Sequence, residues 1–172
     1  FSNVRLACIA SLDGVMSMPV FSASHKAYSL VAILAGKLSS GRVLLQTYMP
    51  HHPLIKSLVA SDVGTFLMQE LEDRKESFYP PFSRVLWWIV TSKDQGEAER
   101  WAGFCHEILQ ELVKDATILP PNATYYHRLK GEYRWDILLK IKDLEGAVPY
   151  LWEAMKLCRM KGIKLEVVNP NQ

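Results

Sequence analysis

The sequence has little of what marks a metal protein, a disulfide-linked protein or a membrane protein. Its three cysteines, Cys8, Cys105 and Cys158, are far apart and include no C-x-x-C pair, which argues against a zinc site and against a disulfide framework. The longest apolar stretches, 30–35 and 85–90, are well short of the roughly 20 residues needed to cross a bilayer. We therefore expect no metal and no membrane span, and a reducing interior as the setting.

Net charge and nucleotide motifs are also scarce. Twenty Lys and Arg residues stand against 18 Asp and Glu residues, a net charge of +2, so a nucleic-acid surface must come from local clustering. There is no G-x-x-x-x-G-K-S/T phosphate loop and no D-E-x-H stretch, so neither a cofactor nor a catalytic residue is predicted. Residues 1–6 lack the basic region of a signal peptide, and the chain begins as though within a domain.

Residues 1–48 have the pattern of a strand, a helix and a second strand. The apolar run at 4–10 is typical of a strand buried on both faces of a parallel sheet. Ser22 or Ser24 offers an N-cap for a helix to about Leu38, and a second strand covers 43–48. One such unit cannot cover both faces of a parallel sheet. We expect either a missing N-terminal portion or a partner chain to complete it.

A helical linker over 49–78 is predicted next. Its two expected helices, 54–60 and 62–77, leave the segment with three basic and five acidic residues, which is typical of a solvated arm. The run Tyr79-Pro80-Pro81-Phe82 marks a domain boundary, because proline restricts itself and its predecessor to extended backbone.

Residues 79–172 have the pattern of a small α+β domain. Strands are predicted at 83–91, near Ile118, at 137–141 and at 164–168, and helices at 96–114 and 146–160. The apolar stripes are Trp101, Phe104, Cys105, Ile108 and Leu112 on the first helix, and Val148, Leu151, Trp152, Met155 and Cys158 on the second. The predicted fold is thus α/β and α+β, a partial parallel-sheet lobe followed by a small sheet with two helices on one face.

One segment goes beyond such patterns. Residues 128–140 read R-L-K-G-E-Y-R-W-D-I-L-L-K and closely resemble the R-L-R-G-R-Y-R-W-Q-L-L-L-K segment of the PriA family, the primosomal helicases of bacterial replication restart. Further matches follow in order over essentially the whole chain: residues 1–4, Asp13, Pro19, Phe21, 41–43, 46–48 and 79–84. The resemblance implies that 1–48 is the end of a RecA-like helicase lobe and that 79–172 is the family's C-terminal domain.

The departures from the family pattern imply lost functions. Where the family reads Q-V-A-G-R-A-G-R, residues 33–40 leave only a vestigial motif of Gly36, Lys37 and Ser40. Ser40 replaces the finger arginine, which is worth about 10³ to 10⁵ in rate where it has been measured, so no ATPase is expected from this chain alone. Glu132 and Asp136 replace the arginine and glutamine that help the family hold the acidic tail of single-stranded DNA-binding protein. That contact is expected to be lost, because like charges oppose binding.

The strongest remaining candidate is a nucleic-acid surface. Its residues are Arg128, Lys130, Tyr133, Arg134, Lys140 and Lys142, with Tyr125, Tyr126 and Trp135 between them. Cations interleaved with aromatics suit a phosphate backbone and stacked bases. The alternative is that strand alternation buries Trp135, Ile137 and Leu139 and leaves the rest as ordinary solvated charges.

Other polar clusters favour structural interpretations. The basic group Lys156, Arg159, Lys161 and Lys164 lies near a helix C-terminus, where cations are stabilised anyway. The adjacent pairs His51-His52 and Cys105-His106 have neighbours that point apart, so they predict neither a metal site nor a nucleophile.

Two functional hypotheses follow. The first is a non-catalytic PriA-like protein or fragment that binds branched or single-stranded DNA in replication restart, associated with the nucleoid in the cytoplasm of a bacterium. The second is a motor-dead structural subunit of a larger assembly, organellar if the source is a eukaryote, in which DNA binding has been lost.

Overall fold

The chain forms two compact units, Phe1–Asp73 and Arg74–Gln172. The computed structural model describes residues 4–18, 20–38 and 41–169, apart from the side chain of Tyr125. Over these residues it contains six helices and seven strands arranged in two sheets. The finer division of the chain, with a linker at 49–78, stays a prediction.

The first unit contains a parallel strand pair and helices. Its elements are β1 (Leu6–Ile9), α1 (Asp13–Met16), α2 (Ala23–Gly36), β2 (Arg42–Leu45), α3 (Pro53–Ala60) and α4 (Val63–Glu76), the last of which runs three residues into the second unit. β1 and β2 pair in parallel from Leu6 opposite Arg42 to Ile9 opposite Leu45. The predicted strand, helix and strand are confirmed, and a short helix, α1, lies between β1 and α2.

The strands of this first sheet are less buried than the sequence predicts. The unit has a small core that includes Ile9, Leu12 and Leu54, but Leu6 is 59% exposed and Leu44 is 56% exposed. The expectation that β1 is buried on both faces is therefore wrong for this chain. The strands have the apolar pattern of a sheet that is covered on both faces, whereas the described residues cover mainly one face.

The second unit is an antiparallel sheet with two helices. Its elements are β3 (Arg84–Ser92), α5 (Gln95–Leu112), β4 (Ala116–Ile118), β5 (Asn122–Leu129), β6 (Glu132–Ile141), α6 (Leu144–Met160) and β7 (Lys164–Val168). The strand order is β4-β6-β3-β7, and β5 pairs with β6. The small sheet-plus-helices fold is confirmed, while β5 and the first half of β6 are missing from the sequence prediction.

The core of the second unit lies between one sheet face and both helices. Trp88 and Ile137 are opposed across β3 and β6, and both pack in one cluster with Leu109 of α5 and Leu151 of α6. Aspartates start both helices: the Asp94 carboxylate accepts a hydrogen bond from the Glu97 amide at 2.7 Å, and that of Asp143 accepts one from the Gly146 amide at 3.1 Å. Such caps satisfy amides that a first helical turn leaves unpaired.

The buried stripe of α6 differs from the predicted one. Ala147, Leu151, Ala154 and Cys158 are buried, whereas Val148 is 43% exposed and Trp152 is 60% exposed. Assigning Val148 and Trp152 to the core was wrong. Apolar residues occupy two neighbouring stripes of this helix, and the stripe with small alanines is the one that approaches the sheet.

Two cysteines that are distant in the sequence meet in this core. The sulfur atoms of Cys105 on α5 and Cys158 on α6 lie 3.0 Å apart, both as free thiols. The hydrogen bond with Cys158 and burial raise the pKa of Cys105. The spacing of 53 residues gave no sign of this contact. Among the described residues, no helix combines the length and the apolar character needed to cross a membrane.

Candidate nucleic-acid interface

The segment that carries the family resemblance folds as the β5–β6 hairpin. Leu129 pairs with Glu132, so Lys130 and Gly131 alone form the turn. Both have positive φ, 51° for Lys130 and 84° for Gly131, as the two central residues of a type I′ turn require. Glycine adopts this conformation without a steric penalty, and the turn projects Lys130 from the end of the sheet.

The hairpin brings together only part of the predicted nucleic-acid surface. Arg128 is opposite Tyr133 in the strand register, and Lys130 and Arg134 lie within the same turn region. β6 is 10 residues long, so Lys142 beyond its far end lies about 30 Å away at roughly 3.3 Å per residue. We define the hairpin surface as Tyr126, Arg128, Lys130, Tyr133 and Arg134.

Lys140 is not part of the hairpin surface. Its side chain is only 8% exposed, and its ammonium group donates a hydrogen bond to the Ser77 carbonyl at 2.6 Å and lies 3.7 Å from the Tyr79 ring centroid. Burial lowers the pKa of Lys140. This lysine therefore links β6 to the segment that precedes β3, and its charge does not face solvent.

The guanidinium group of Arg128 lies beside an aromatic ring. This group lies 5.3 Å from the Tyr133 ring centroid, and the His127 ring meets Tyr133 edge-on at 5.4 Å. Tyr126 is 69% exposed. Such a combination of a cation and accessible rings can hold a phosphate and stack an unpaired base. The burial that strand alternation predicts is confirmed further along β6, where Trp135 packs against the core and Ile137 and Leu139 are buried.

Two further cations, which the sequence analysis did not assign to this surface, lie at the same end of the sheet. Lys164 is the first residue of β7 and is opposite Thr91, and Thr91 is opposite Arg134. Because directly opposed residues share one sheet face, Lys164 and Arg134 lie on the same face. Lys93 follows the end of β3, close enough for its charge to act on Glu132. The pairing register of β3, β6 and β7 brings these lysines together. No local sequence pattern indicates this register.

Carboxylates moderate this positive end. The Lys164 ammonium donates to both carboxylate oxygens of Glu132, at 2.8 and 2.6 Å, and this bond holds the pKa of Glu132 below its usual value. Arg134 lies 3.8 Å from the Glu166 carboxylate. Desolvation raises the pKa of Asp136. Arg128 and Lys130 are consequently the exposed cations of the hairpin surface that have no carboxylate partner within residues 41–169.

The remaining candidates lie elsewhere and have structural partners. Gly36 ends α2 and Lys37 is its C-terminal cap, while Ser40 lies outside the described residues. The ring of His52 caps α3, its Nδ1 atom accepting a hydrogen bond from the Leu54 amide at 3.2 Å. Asp13 accepts a hydrogen bond from the Thr47 hydroxyl at 2.5 Å. Among the described residues, no three His, Cys, Asp or Glu side chains form a group that could hold a metal ion.

Comparison with known proteins gives a consistent set of relatives. Residues 75–162 match the family model described as the primosomal protein N C-terminal domain. The chain is 29% identical over 164 residues to the replication restart protein PriA of Thermotoga maritima, covering 94% of this chain and 22% of that protein. It is 32% identical over 165 residues to PriA of Chlamydia pneumoniae, covering 93% and 22%. It is 29% identical over 148 residues to PriA of Bacillus subtilis, and this match covers 83% of this chain and 18% of that protein.

The chain therefore spans about a fifth of the length of these relatives. Among solved structures, a de novo designed protein is 11% identical with a TM-score of 0.40, and the match covers 50% of this chain and 93% of that protein. This likeness is too weak to assign a fold.

Proposed function

The chain belongs to the primosomal protein N C-terminal domain family, and from this premise we propose that it binds single-stranded or branched DNA through the hairpin surface, as a non-catalytic component of replication restart. The relatives named replication restart protein PriA support the biological role. They are bacterial, which favours a nucleoid-associated protein and gives no support to an organellar assembly.

One observation carries the proposal. Arg128 lies beside Tyr133, Lys130 forms the exposed turn of the same hairpin, and Lys93 follows the neighbouring strand at the same end of the sheet. Phosphates are held by such cations, and unpaired bases stack on accessible rings. Since the chain is nearly neutral overall, this local group of cations provides a preferred binding site for DNA.

Departures from the family pattern narrow the proposed function. It includes no contact with the acidic tail of single-stranded DNA-binding protein, because Glu132 and Asp136 place carboxylates where the family uses an arginine and a glutamine. It includes no ATP hydrolysis by this chain, because the sequence lacks a phosphate loop and has serine at the position of the finger arginine.

The test is binding of forked and single-stranded DNA across a salt series. Arg128→Ala and Lys130→Ala should each weaken binding and reduce the slope of log K against log salt by about one. Tyr133→Leu should weaken single-strand binding by roughly 1–3 kcal/mol, because it removes the ring on which a base stacks. Lys142→Ala is the matched control, because it removes another exposed charge, about 30 Å from the turn; its slope should stay unchanged.

Salt-independent DNA binding, or an equal effect of Lys142→Ala, would contradict DNA binding through the hairpin surface. Either result would favour a second role, that of a structural subunit that binds protein. A specific observation supports this alternative: Leu6 and Leu44 of the first unit are exposed on a parallel sheet that has two strands within the described residues. We propose in either case that the first unit is the end of a RecA-like lobe whose sheet is completed by further strands from its own or another chain.

A further inference from the structure

A pair of thiols in the core of the second unit takes no part in the proposed DNA binding. Cys105 lies near the middle of α5 and Cys158 near the end of α6, and both side chains are fully buried. Their sulfur atoms lie 3.0 Å apart, which is about 1 Å more than the length of a disulfide bond. A small shift of either side chain would therefore bring the two sulfur atoms to bonding distance.

Small side chains hold the two helices close at this point. Ala102 lies one turn before Cys105 on α5, and Ala154 lies one turn before Cys158 on α6. Both alanines are fully buried in the same core cluster as the thiols. Residues three and four apart share a helix face, and the distance between two packed helices depends on the size of the side chains at the contact. The closeness of the thiols thus follows from how α5 packs on α6.

We propose that Cys105 and Cys158 form a reversible intramolecular disulfide when the chain meets a peroxide, and that this bond joins α5 to α6. In the first step, the Cys158 sulfur attacks one oxygen of hydrogen peroxide, the O–O bond breaks, and a sulfenic acid and water form. In the second step, the Cys105 sulfur attacks the sulfenic sulfur, the S–S bond forms, and the departing hydroxide takes the Cys105 proton as water. The two thiols lose two electrons and two protons, and the peroxide is reduced to two water molecules.

The hydrogen bond between the sulfur atoms assigns the two roles. It lowers the pKa of Cys158 and, together with burial, raises the pKa of Cys105. The thiolate is the nucleophilic form of cysteine, so Cys158 attacks the peroxide while Cys105 keeps its proton until the second step. Cysteines that sense oxidants commonly have such a resolving cysteine beside them.

Burial of the pair limits which oxidant reaches it. Both thiols are enclosed in the core, so an oxidant enters only when α5 and α6 separate locally. Hydrogen peroxide is little larger than a water molecule and needs the smallest such opening. Disulfides inside cells are usually transient, so we expect the pair to be reduced at rest and oxidised only while peroxide persists.

The test is peroxide treatment of the folded 172-residue chain carrying Cys8→Ser, which removes the exposed third thiol. The chain is then unfolded in an alkylating reagent and analysed by mass spectrometry. The untreated chain should take up two labels, and the treated chain should take up none and should yield a cross-linked peptide containing Cys105 and Cys158. Because the bond closes a loop of 53 residues, the equilibrium constant for unfolding of the second unit should fall about a hundredfold. Dithiothreitol should reverse both changes.

Cys105→Ala and Cys158→Ala in the same background are the matched controls. Each keeps every methionine that peroxide also oxidises but lacks one half of the bond, so neither should gain stability after treatment. The cross-linked peptide from the chain with both thiols tests the bond even where an alanine variant fails to fold.

Three results would overturn the proposal: sulfinic acid at either cysteine without a cross-linked peptide, a bond that forms only in denaturant, or an equal gain in stability in the alanine variants. Two free thiols that persist in peroxide while the circular dichroism stays native would overturn it too.

Discussion

The two units of this chain use similar apolar sequence patterns with different results. In the second unit, a sheet of five strands and two helices encloses a cluster of fully buried side chains that includes Trp88, Leu109 and Ile137. In the first unit, two parallel strands leave Leu6 and Leu44 largely exposed. An apolar strand is therefore buried only when the chain also supplies the layers that cover it, and the first unit supplies too few.

The largest effect should come from separating the units. Expressed alone, residues 74–172 should unfold cooperatively in urea, because their core is closed by their own elements. Residues 1–73 alone should show no cooperative transition or should associate through the exposed apolar strands. Circular dichroism with increasing urea checks both. A cooperative, monomeric 1–73 would break the contrast between the units.

Helix ends allow a finer comparison. Both α3 and α6 end in a Schellman motif: in α3 the Asp62 amide reaches the Ser57 carbonyl at 3.0 Å, and in α6 the Ile163 amide reaches that of Cys158 at 3.2 Å. The left-handed residue is Ser61, with φ 56°, in the first unit and Gly162, with φ 75°, in the second. The left-handed conformation favours glycine, which the second unit has at this position, whereas the first unit has serine.

Exchanging these residues should move stability in opposite directions. Ser61→Gly should stabilise the first unit and Gly162→Ala should destabilise the second, each by about 1 kcal/mol, because a β-carbon opposes the left-handed conformation. Chemical denaturation of the whole chain measures the second unit through its tryptophans, all of which lie there. Hydrogen exchange of α3 amides measures the first. Equal effects of the same sign would show that the turn conformations are not as described.

The smallest effects should come from two aspartates with opposite pH dependence. Desolvation raises the pKa of Asp136 in the second unit, so the folded state binds more protons than the unfolded state above pH 3.8, and stability is lost as pH rises through that window. Asp136→Asn should therefore stabilise the second unit at neutral pH, with an advantage that disappears toward acid. Denaturation across a pH series checks this.

Asp13 in the first unit should behave in the reverse way. The hydrogen bond from the Thr47 hydroxyl lowers the pKa of Asp13, so its stabilisation is present above pH 3.8 and is lost as pH falls through the folded pKa. Asp13→Asn should speed exchange of the Tyr48 amide, which donates to Asp13, at neutral pH but not in acid. A pH-independent difference in either variant would contradict the assigned cause.

Much of the fold could be predicted from the sequence because its signals are local. The strand at 164–168 and the helix stripe around Cys105 follow from periodicity, and the resemblance at 128–140 pointed to the family before any geometry was known. The hairpin was missed because β5 lacks a clean alternation and its pairing with β6 is interrupted by a register shift between Ala123 and Arg128.

The sequence alone thus determined the order of most elements, the family and the candidate cations, because each depends on neighbours along the chain. Only the tertiary structure decided which of those cations act together. Strand register buried Lys140, separated Lys142 from the turn and brought Lys93 and Lys164 beside the hairpin. Packing likewise determined which apolar stripe of α6 faces the sheet. It placed the thiols of Cys105 and Cys158 in contact and left Trp152 exposed. These outcomes depend on pairings between distant segments, and no local pattern in the sequence records such pairings.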